Sequence, residues 1–270
     1  MRIATYNFRE GGEGNGKTPF EVLRDLQPDV LCAQELCETN FYTKNSRETW
    51  RELGYVDPHW HEVPTHTRRP WGSGIFLKNG PVKEVPITNP HINGWLVGVE
   101  LRADHPRSIF DMPIHIFSIH TPTKLKPKIN YYIWQLQEVL EYIFRYHGND
   151  NIILAGDFNA EISVRGQNEH RTNDAREQEI RDYIRINLKL INGWQLLHPN
   201  ESLPSTYVGQ GKGTHIDGIF ITPKIQHLLC SCDVIPKEKY QWKNADHCAI
   251  VADFSTKELQ FRPRSTDLSE

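Results

Sequence analysis

The amino-acid sequence predicts a single mixed α/β domain. Three observations lead there. Short apolar runs alternate with stretches of helical periodicity. Asn79-Gly80 stands between two such runs as a hairpin signal. No linker, internal repeat or low-complexity block divides the chain between residue 1 and residue 255. Hairpins mixed with crossover helices place the sheets under a cover of helices. The 270 residues are ample for a buried core, and residues 256–270 read as a polar tail.

Ile3–Tyr6 is the first expected strand. Thr18-Pro19 then supplies an N-cap and a first-turn proline, Phe20, Leu23 and Leu26 share one face, and Pro28 stands beyond the stop, so a helix follows. Val30–Ala33 is a buried strand leading to Glu35, and Ser46–Leu53 a short helix closed by Gly54. Gly74–Leu77 and Val82–Ile87 flank Asn79-Gly80 as the two arms of a hairpin. Trp95–Leu101 and Ile114–Ile119 continue as strands. The three- and four-residue spacing of Ile129, Ile133, Leu136, Leu140 and Ile143 predicts the longest helix, Pro127–Arg145. Asn151–Ala155 is an apolar strand ending at Gly156-Asp157; Ile180, Ile184, Leu188 and Ile191 mark another helix; Ile216–Ile221 and Cys248–Phe254 are the last strands.

Charge excludes some functions. With 31 basic and 34 acidic side chains the formal charge is −3, which does not suit a histone-like or repressor-like protein held to nucleic acid chiefly by counterion release. No apolar run approaches the roughly 18 residues that cross a bilayer, and Met-Arg-Ile-Ala-Thr-Tyr-Asn at the start lacks the apolar core of a signal peptide. The expected location is the cytoplasm. The five cysteines, odd in number and mostly in apolar surroundings, are expected as reduced thiols. Cys230-x-Cys232 and His59-x-His61 lack a second half at zinc-finger spacing and read as core cysteines and surface histidines.

Polar residues cluster at strand ends, where a rigid scaffold commonly mounts catalytic groups. Asn7, Glu35 and His120 follow apolar strands, Gly156-Asp157-Phe158-Asn159 follows another, Asp217 lies within His215–Phe220, and Asp246-His247 precedes the last strand. Singly, each reads first as a strand cap, turn residue or solvated edge. Together they are carboxylates, carboxamides and imidazoles, an inventory suited to metal-assisted attack of water on a phosphate ester. Glu35 and Asn7 offer the oxygens a hard divalent cation prefers. Asp157 and Asn159 supply acceptors and an amide donor for the attacking water. His247 paired with Asp217 would serve as general base or acid.

These short motifs, in this order from Ala4-Thr5-Tyr6-Asn7 to Asn244-Ala245-Asp246-His247, resemble the endonuclease/exonuclease/phosphatase superfamily. Pro28–Glu35 looks like its metal-ligand strand, and Gly156–Ala160 is similar to the pancreatic-type deoxyribonuclease signature. The resemblance implies a four-layer sandwich, two mixed sheets face to face with helices on both outer faces, and a magnesium-dependent phosphoesterase site at one end. It implies Glu35 as principal metal ligand, Asn7 as its neighbour and Asp246 as a further metal-side carboxylate. Asp157 and Asn159 would position nucleophile and phosphate, and His247–Asp217 would be the dyad. His120 resembles the second histidine of the deoxyribonuclease and sphingomyelinase branches. Apurinic-site endonucleases usually carry a tyrosine in that region, and an aspartate where this chain has Arg9.

Gly11–Thr18 also matches the phosphate-loop pattern G-x-x-x-x-G-K-[ST]. Asn7–Glu10 separate it from the strand, however, and Pro19 removes an amide donor where the helix should cradle phosphate. On the main reading it is a loop beside Asn7 from which Lys17 reaches a substrate phosphate. Arg68-Arg69-Pro70-Trp71 and Lys124-x-Lys126-x-Lys128 are the basic clusters; each either solvates a face or lines a substrate groove, with Arg69 and Lys124 as candidate contacts. Trp71 either stacks on a base or plugs the sandwich.

The expected protein is therefore a magnesium-dependent hydrolase of phosphodiester bonds, manganese substituting, with DNA or another nucleic acid as substrate and no obligatory protein partner. A phosphatase or phosphodiesterase acting on a lipid head group, nucleotide or other small molecule is the alternative; a P-loop NTPase using Gly11–Thr18 is a remote one. Intact Glu35, Asp157, Asn159, Asp217 and His247 argue against a noncatalytic scaffold. Lys17→Ala separates the phosphate-loop readings. A peripheral loop predicts weaker substrate binding with turnover near wild type; loss of tight magnesium–ATP binding together with all activity would establish a phosphate loop instead.

Overall fold

The structure, a computed structural model, describes residues 1–9, 19–37, 44–64, 71–80, 82–121, 131–161, 175–208, 213–240 and 245–256. In chain order, β1 (Arg2–Asn7), β2 (Val30–Cys37), β3 (His59–Glu62) and β4 (Trp71–Leu77) build one sheet. β5 (Lys83–Val85), β6 (Leu96–Leu101), β7 (Ile114–His120), β8 (Ile152–Asp157), β9 (Ile191–Asn192) and β10 (Asp217–Ile221) build a second. β11 (Leu229–Ile235) and β12 (Ala249–Phe254) return to the first. The orders are β11-β12-β1-β2-β4-β3 and β5-β6-β7-β8-β10-β9, six strands each. Each sheet is mixed: β1 and β2 are parallel across α1 (Pro19–Leu26), and β7 and β8 are parallel across α3 (Tyr131–His147).

The layers follow from period-two burial along the strands. Ile3, Val30 and Cys32 of one sheet face Ile116, Ile153, Ala155 and Ile219 of the other in one apolar cluster. Their sequence neighbours point outward. Ala4, Tyr6, Leu31 and Ala33 pack with Val22, Leu23 and Leu26 of α1 and Trp50 of α2 (Lys44–Glu52). Phe117, Ile119, Ile152 and Leu154 pack with Leu136, Val139 and Leu140 of α3 and Ile180 of α4 (Ala175–Asp182). Central strands are thus apolar on both faces, which explains their unbroken apolar runs. The expected α/β four-layer sandwich is the observed fold.

Three expectations differ. The arms around Asn79-Gly80 do not pair: β4 lies in the first sheet and β5 in the second. Both residues take positive φ, 61° and 147°, as a tight turn requires, but Asn79 N donates to Gly54 O at 2.9 Å and the chain is handed from one sheet to the other. The helix expected to run to Ile191 ends at Asp182; a π-helical turn covers Tyr183–Asn187, Lys189 adopts φ 54°, and Ile191 belongs to β9. β3 and β11 were not anticipated as strands. They are half-buried sheet edges, so their apolar patterns are broken. The five cysteines are thiols, four of them buried, and among the described residues no helix is long and apolar enough to cross a membrane. The segment with Gly11–Thr18, and the tail beyond residue 256, lie outside the described residues.

Gly156 marks where sheet packing and site meet. It takes φ 152°, and a Cβ there would lie 1.9 Å from Ile119 O on the paired strand. Gly156→Ala should force β7 and β8 apart, costing about 2–3 kcal/mol and displacing the adjacent Asp157. Urea unfolding of the variant checks this; an unchanged midpoint would refute the close approach.

Candidate active site

Sheet register assembles the site. β8 runs between β7 and β10, with His120 opposite Asp157 and Asp157 opposite Asp217. Residues in one register row project from the same face. Counting back by twos, that face carries Ile153 and Ala155, which pack between the sheets. The row His120–Asp157–Asp217 therefore points into the space between the sheets, at its end. From the other sheet, Asn7 follows Ile3 and Thr5 on the equivalent face of β1.

Glu35 arrives by a different device. In regular β2 it would share the outward parity of Leu31 and Ala33. The β2–β4 register shifts between Ala33 and Leu36, so that Gln34 and Glu35 together oppose Ser73, and Glu35 takes φ 54°. This β-bulge turns the carboxylate inward. Its Oε1 accepts from Asn7 Nδ2 at 3.1 Å and lies 3.4 Å from His120 Nε2. Asn159, also at positive φ (48°), turns its backbone N–H to Asp157 Oδ1 at 2.8 Å. Left-handed non-glycine residues at Arg9, Glu35 and Asn159 each cost on the order of 1–2 kcal/mol, and other positions of this kind, such as Asn79 and Lys189, lie elsewhere in the fold.

Asp157, 1% exposed, is the hub. Its Oδ2 accepts from Asn7 Nδ2 at 2.9 Å and Asn159 Nδ2 at 3.2 Å, with His247 Nε2 at 3.8 Å and His120 Nε2 at 3.9 Å. Burial pushes its carboxyl up, and the Asp217 charge adds to the rise against the opposing pull of His247, His120 and the Asn159 amide. His247 Nδ1 lies 3.0 and 3.1 Å from the two Asp217 oxygens. Burial works to lower its pKa, but the charge and hydrogen bond of Asp217, with Asp157 and Asp246 beyond, outweigh it and raise the imidazole to about 10.

The structure thus brings together Asn7, Glu35, His120, Asp157, Asn159, Asp217 and His247. Asp246 is adjacent to His247 in sequence, and its Oδ2 is 3.2 Å from Arg9 Nε. Trp71 is half-buried with its ring 5.1 Å from His120 and 5.3 Å from Trp95, so it packs against the site and not within the central core. Lys17, Arg69 and Lys124 lie outside the described residues. Sequence reading missed the supports. Thr206 Oγ1 accepts from the amides of Ile216 and Asp217 at 3.0 Å, the Tyr207 ring packs at a tilt 5.0 Å from His247, and Thr121 O accepts from Asn159 Nδ2. Only adjacence to His120 singles out Thr121 in the sequence; Thr206 and Tyr207 sit in an ordinary loop.

The donor chemistry fits a hard divalent cation. Three carboxylates and two carboxamides outnumber two imidazoles, and Asn7 keeps an oxygen lone pair after Oδ1 accepts from Arg9 N. Asp157, Asp217 and His247 also offer ligand atoms within 4.8 Å of one another.

Two stacked mixed sheets carry these groups together at one end. The chain belongs to the endonuclease/exonuclease/phosphatase family, whose model matches residues 20–236. Among solved structures it is similar to an AP endonuclease from Archaeoglobus fulgidus (19% identity, TM-score 0.70, 94% of this chain and 99% of that one). It is also similar to the 3′ phosphatase NExo from Neisseria bound to a product DNA hairpin (14%, 0.68, 94% and 99%) and to the catalytic domain of human Nocturnin with bound sulfate (19%, 0.64, 94% and 94%). No curated protein sequence matches the chain.

The His247–Asp217 contact carries a pH prediction for the metal-free protein. A raised folded pKa stabilises the fold fully below the unfolded value, near 6.5, and that contribution fades as pH rises through about 10. The His247 ring should therefore stay charged across neutral pH by NMR, and Asp217→Asn should bring its titration down. An imidazole titrating near 6.5 in the wild type would contradict the pairing.

Proposed function

We propose that this chain is a magnesium-dependent phosphodiesterase, a nuclease that hydrolyses DNA or another nucleic acid, with manganese as a substitute ion. The observation that carries the reading is Asp157: a buried carboxylate within reach of two carboxamides and two imidazoles, beside Glu35. Its family membership supports phosphate-ester hydrolysis.

Glu35 and Asn7 would hold the cation, and Asp246 joins its surroundings when the Arg9 ion pair opens. When bound, the ion neutralises charge on a phosphoryl oxygen and eases departure of the leaving oxygen. The protein's own groups do the rest. Asn159 holds the attacking water against Asp157, which takes one proton as the oxygen bonds to phosphorus. His247, its Nδ1–H fixed on Asp217, donates Nε2–H to a non-bridging oxygen and stabilises the charge that develops there. His120 gives its proton to the leaving oxygen as that P–O bond breaks. Solvent then returns Asp157 and His120 to their starting states.

Nucleic acid is favoured because Trp71 offers an aromatic face at the site and because the Neisseria neighbour is bound to a DNA hairpin. His120 and Arg9 support the deoxyribonuclease-like branch over the apurinic-site one. Arg69, Lys124 and Lys17 are the proposed phosphate contacts along the strand. A phosphatase or small-molecule phosphodiesterase is the second reading, favoured by the net charge of −3.

Plasmid DNA, single-stranded RNA, sphingomyelin and a phosphate-monoester panel, each with and without magnesium, decide between them. Chelation should abolish turnover and magnesium or manganese restore it. Glu35→Gln should raise the metal requirement and lower the rate at least about a hundredfold. His120→Ala and His247→Ala should fold and lose on the order of 10²–10⁴ in rate. Full activity in excess chelator would overturn the mechanism, and cleavage confined to monoesters would overturn the nuclease assignment.

A further inference from the structure

A second group of ligating side chains lies at the other end of β7. His115 stands near the start of that strand, about 17 Å from His120 at roughly 3.3 Å per residue, so the two clusters are separate. His147 closes α3, and the turn after it brings Asp150 back, its backbone N donating to His147 O at 2.9 Å. His115 N donates to Asn151 O at 2.8 Å, which fastens the turn to the sheet. Asp150 Oδ2 is thereby held between two imidazoles, 2.8 Å from His115 Nδ1 and 2.9 Å from His147 Nδ1.

The chemistry on the two sides of the His115 ring is informative. Its Nε2 faces Glu100 Oε2 at 3.4 Å, and Lys83 Nζ holds that carboxylate at 3.1 Å. With a proton on Nε2 directed at Glu100, Nδ1 is left with a lone pair for a metal ion. Nδ1 is buried and forms no well-directed hydrogen bond among the described residues, although a carboxylate oxygen stands 2.8 Å away. A positive charge shared by the two atoms, a proton or a metal ion, offsets the repulsion of their lone pairs at that distance. Phe117 packs 5.2 Å from the His147 ring, and the two imidazoles meet edge to face at 5.0 Å, so the donors are already oriented. The C-terminal end of α3 adds its negative dipole.

We propose that His115, His147 and Asp150 bind a zinc ion, with water in the fourth position and Glu100 orienting His115. Two imidazoles and a carboxylate suit zinc, whereas magnesium prefers oxygen ligands alone. The ion clasps the end of α3 to the start of β7, a site independent of the chemistry at His120. Metal content after dialysis against zinc and then zinc-free buffer with excess magnesium tests this in the full chain. Wild type should retain one more zinc equivalent than His147→Ala or Asp150→Asn, whatever the catalytic end retains. Zinc should raise the thermal midpoint of the wild type and not of these variants, with magnesium-supported turnover unchanged in both. Glu100→Gln should weaken zinc binding about 10–100-fold, while Lys83→Ala keeps the stoichiometry. Cobalt in place of zinc should give the wild type a visible band that Asp150→Asn lacks, a readout of the ligand set that is separate from any gain in thermal stability. Equal zinc content in wild type and Asp150→Asn, or a cobalt spectrum unchanged by that substitution, would overturn the proposal.

Discussion

A carboxylate removed from water must be surrounded by donors, and much of this molecule is arranged around that need at Asp157. An unpaired buried charge is costly, so the carboxyl draws amide protons from Asn7 on the opposite sheet and from Asn159 on its own loop. Register then decides which further groups stand beside it, His120 on one flank and Asp217 on the other. Asn7 hydrogen-bonds both Glu35 and Asp157 and so ties the two sheets together at the functional end. Deeper in, Gln34 does the same with Thr5 and Ser118. The sandwich is thus pinned by polar contacts between its layers as well as by the apolar cluster that fills them.

The chain's apolar runs made the layers legible because central strands are covered on both faces. Ile3–Tyr6, Ile114–Ile119 and Cys248–Phe254 each read as strands without reference to partners, and each lies in a central position of its sheet. Edge strands β3 and β11 were illegible for the converse reason. Asn79-Gly80 was read correctly as a turn and incorrectly as a hairpin, because a two-residue reversal specifies local φ and ψ but not the sheet that receives the next strand. The run Ile180–Ile191 kept helical spacing past the point where the chain changes to a π turn and then to β9.

At the site, residue types and strand ends were enough to collect Asn7, Glu35, His120, Asp157, Asn159, Asp217 and His247. Their mutual geometry was not. The inward turn of Glu35 depends on one extra residue in β2 opposite Ser73, and no composition rule marks that position. The Thr206 hydroxyl that holds the start of β10 is equally silent in sequence, since its partners are eleven residues away or fewer but the loop between has no periodic pattern. The cluster of His115, His147 and Asp150 is invisible to spacing rules because its members come from a strand, a helix end and a turn.

The first sheet is written in two instalments. Four of its strands come from the N-terminal part of the chain, and the last two come from the end, with β12 pairing antiparallel to β1 and the terminal amine of Met1 bonded to Phe254 O at 2.7 Å. During synthesis, β1 waits with one edge unpaired while the whole second sheet is made. An open edge of that kind is a template for unwanted strand pairing. The residue that completes the polar cluster around Asp157, His247, emerges immediately before the strand that closes this edge. A nascent chain therefore cannot hold the assembled cluster before its fold is sealed, and completion of the sheet and completion of the cluster coincide at the final strand.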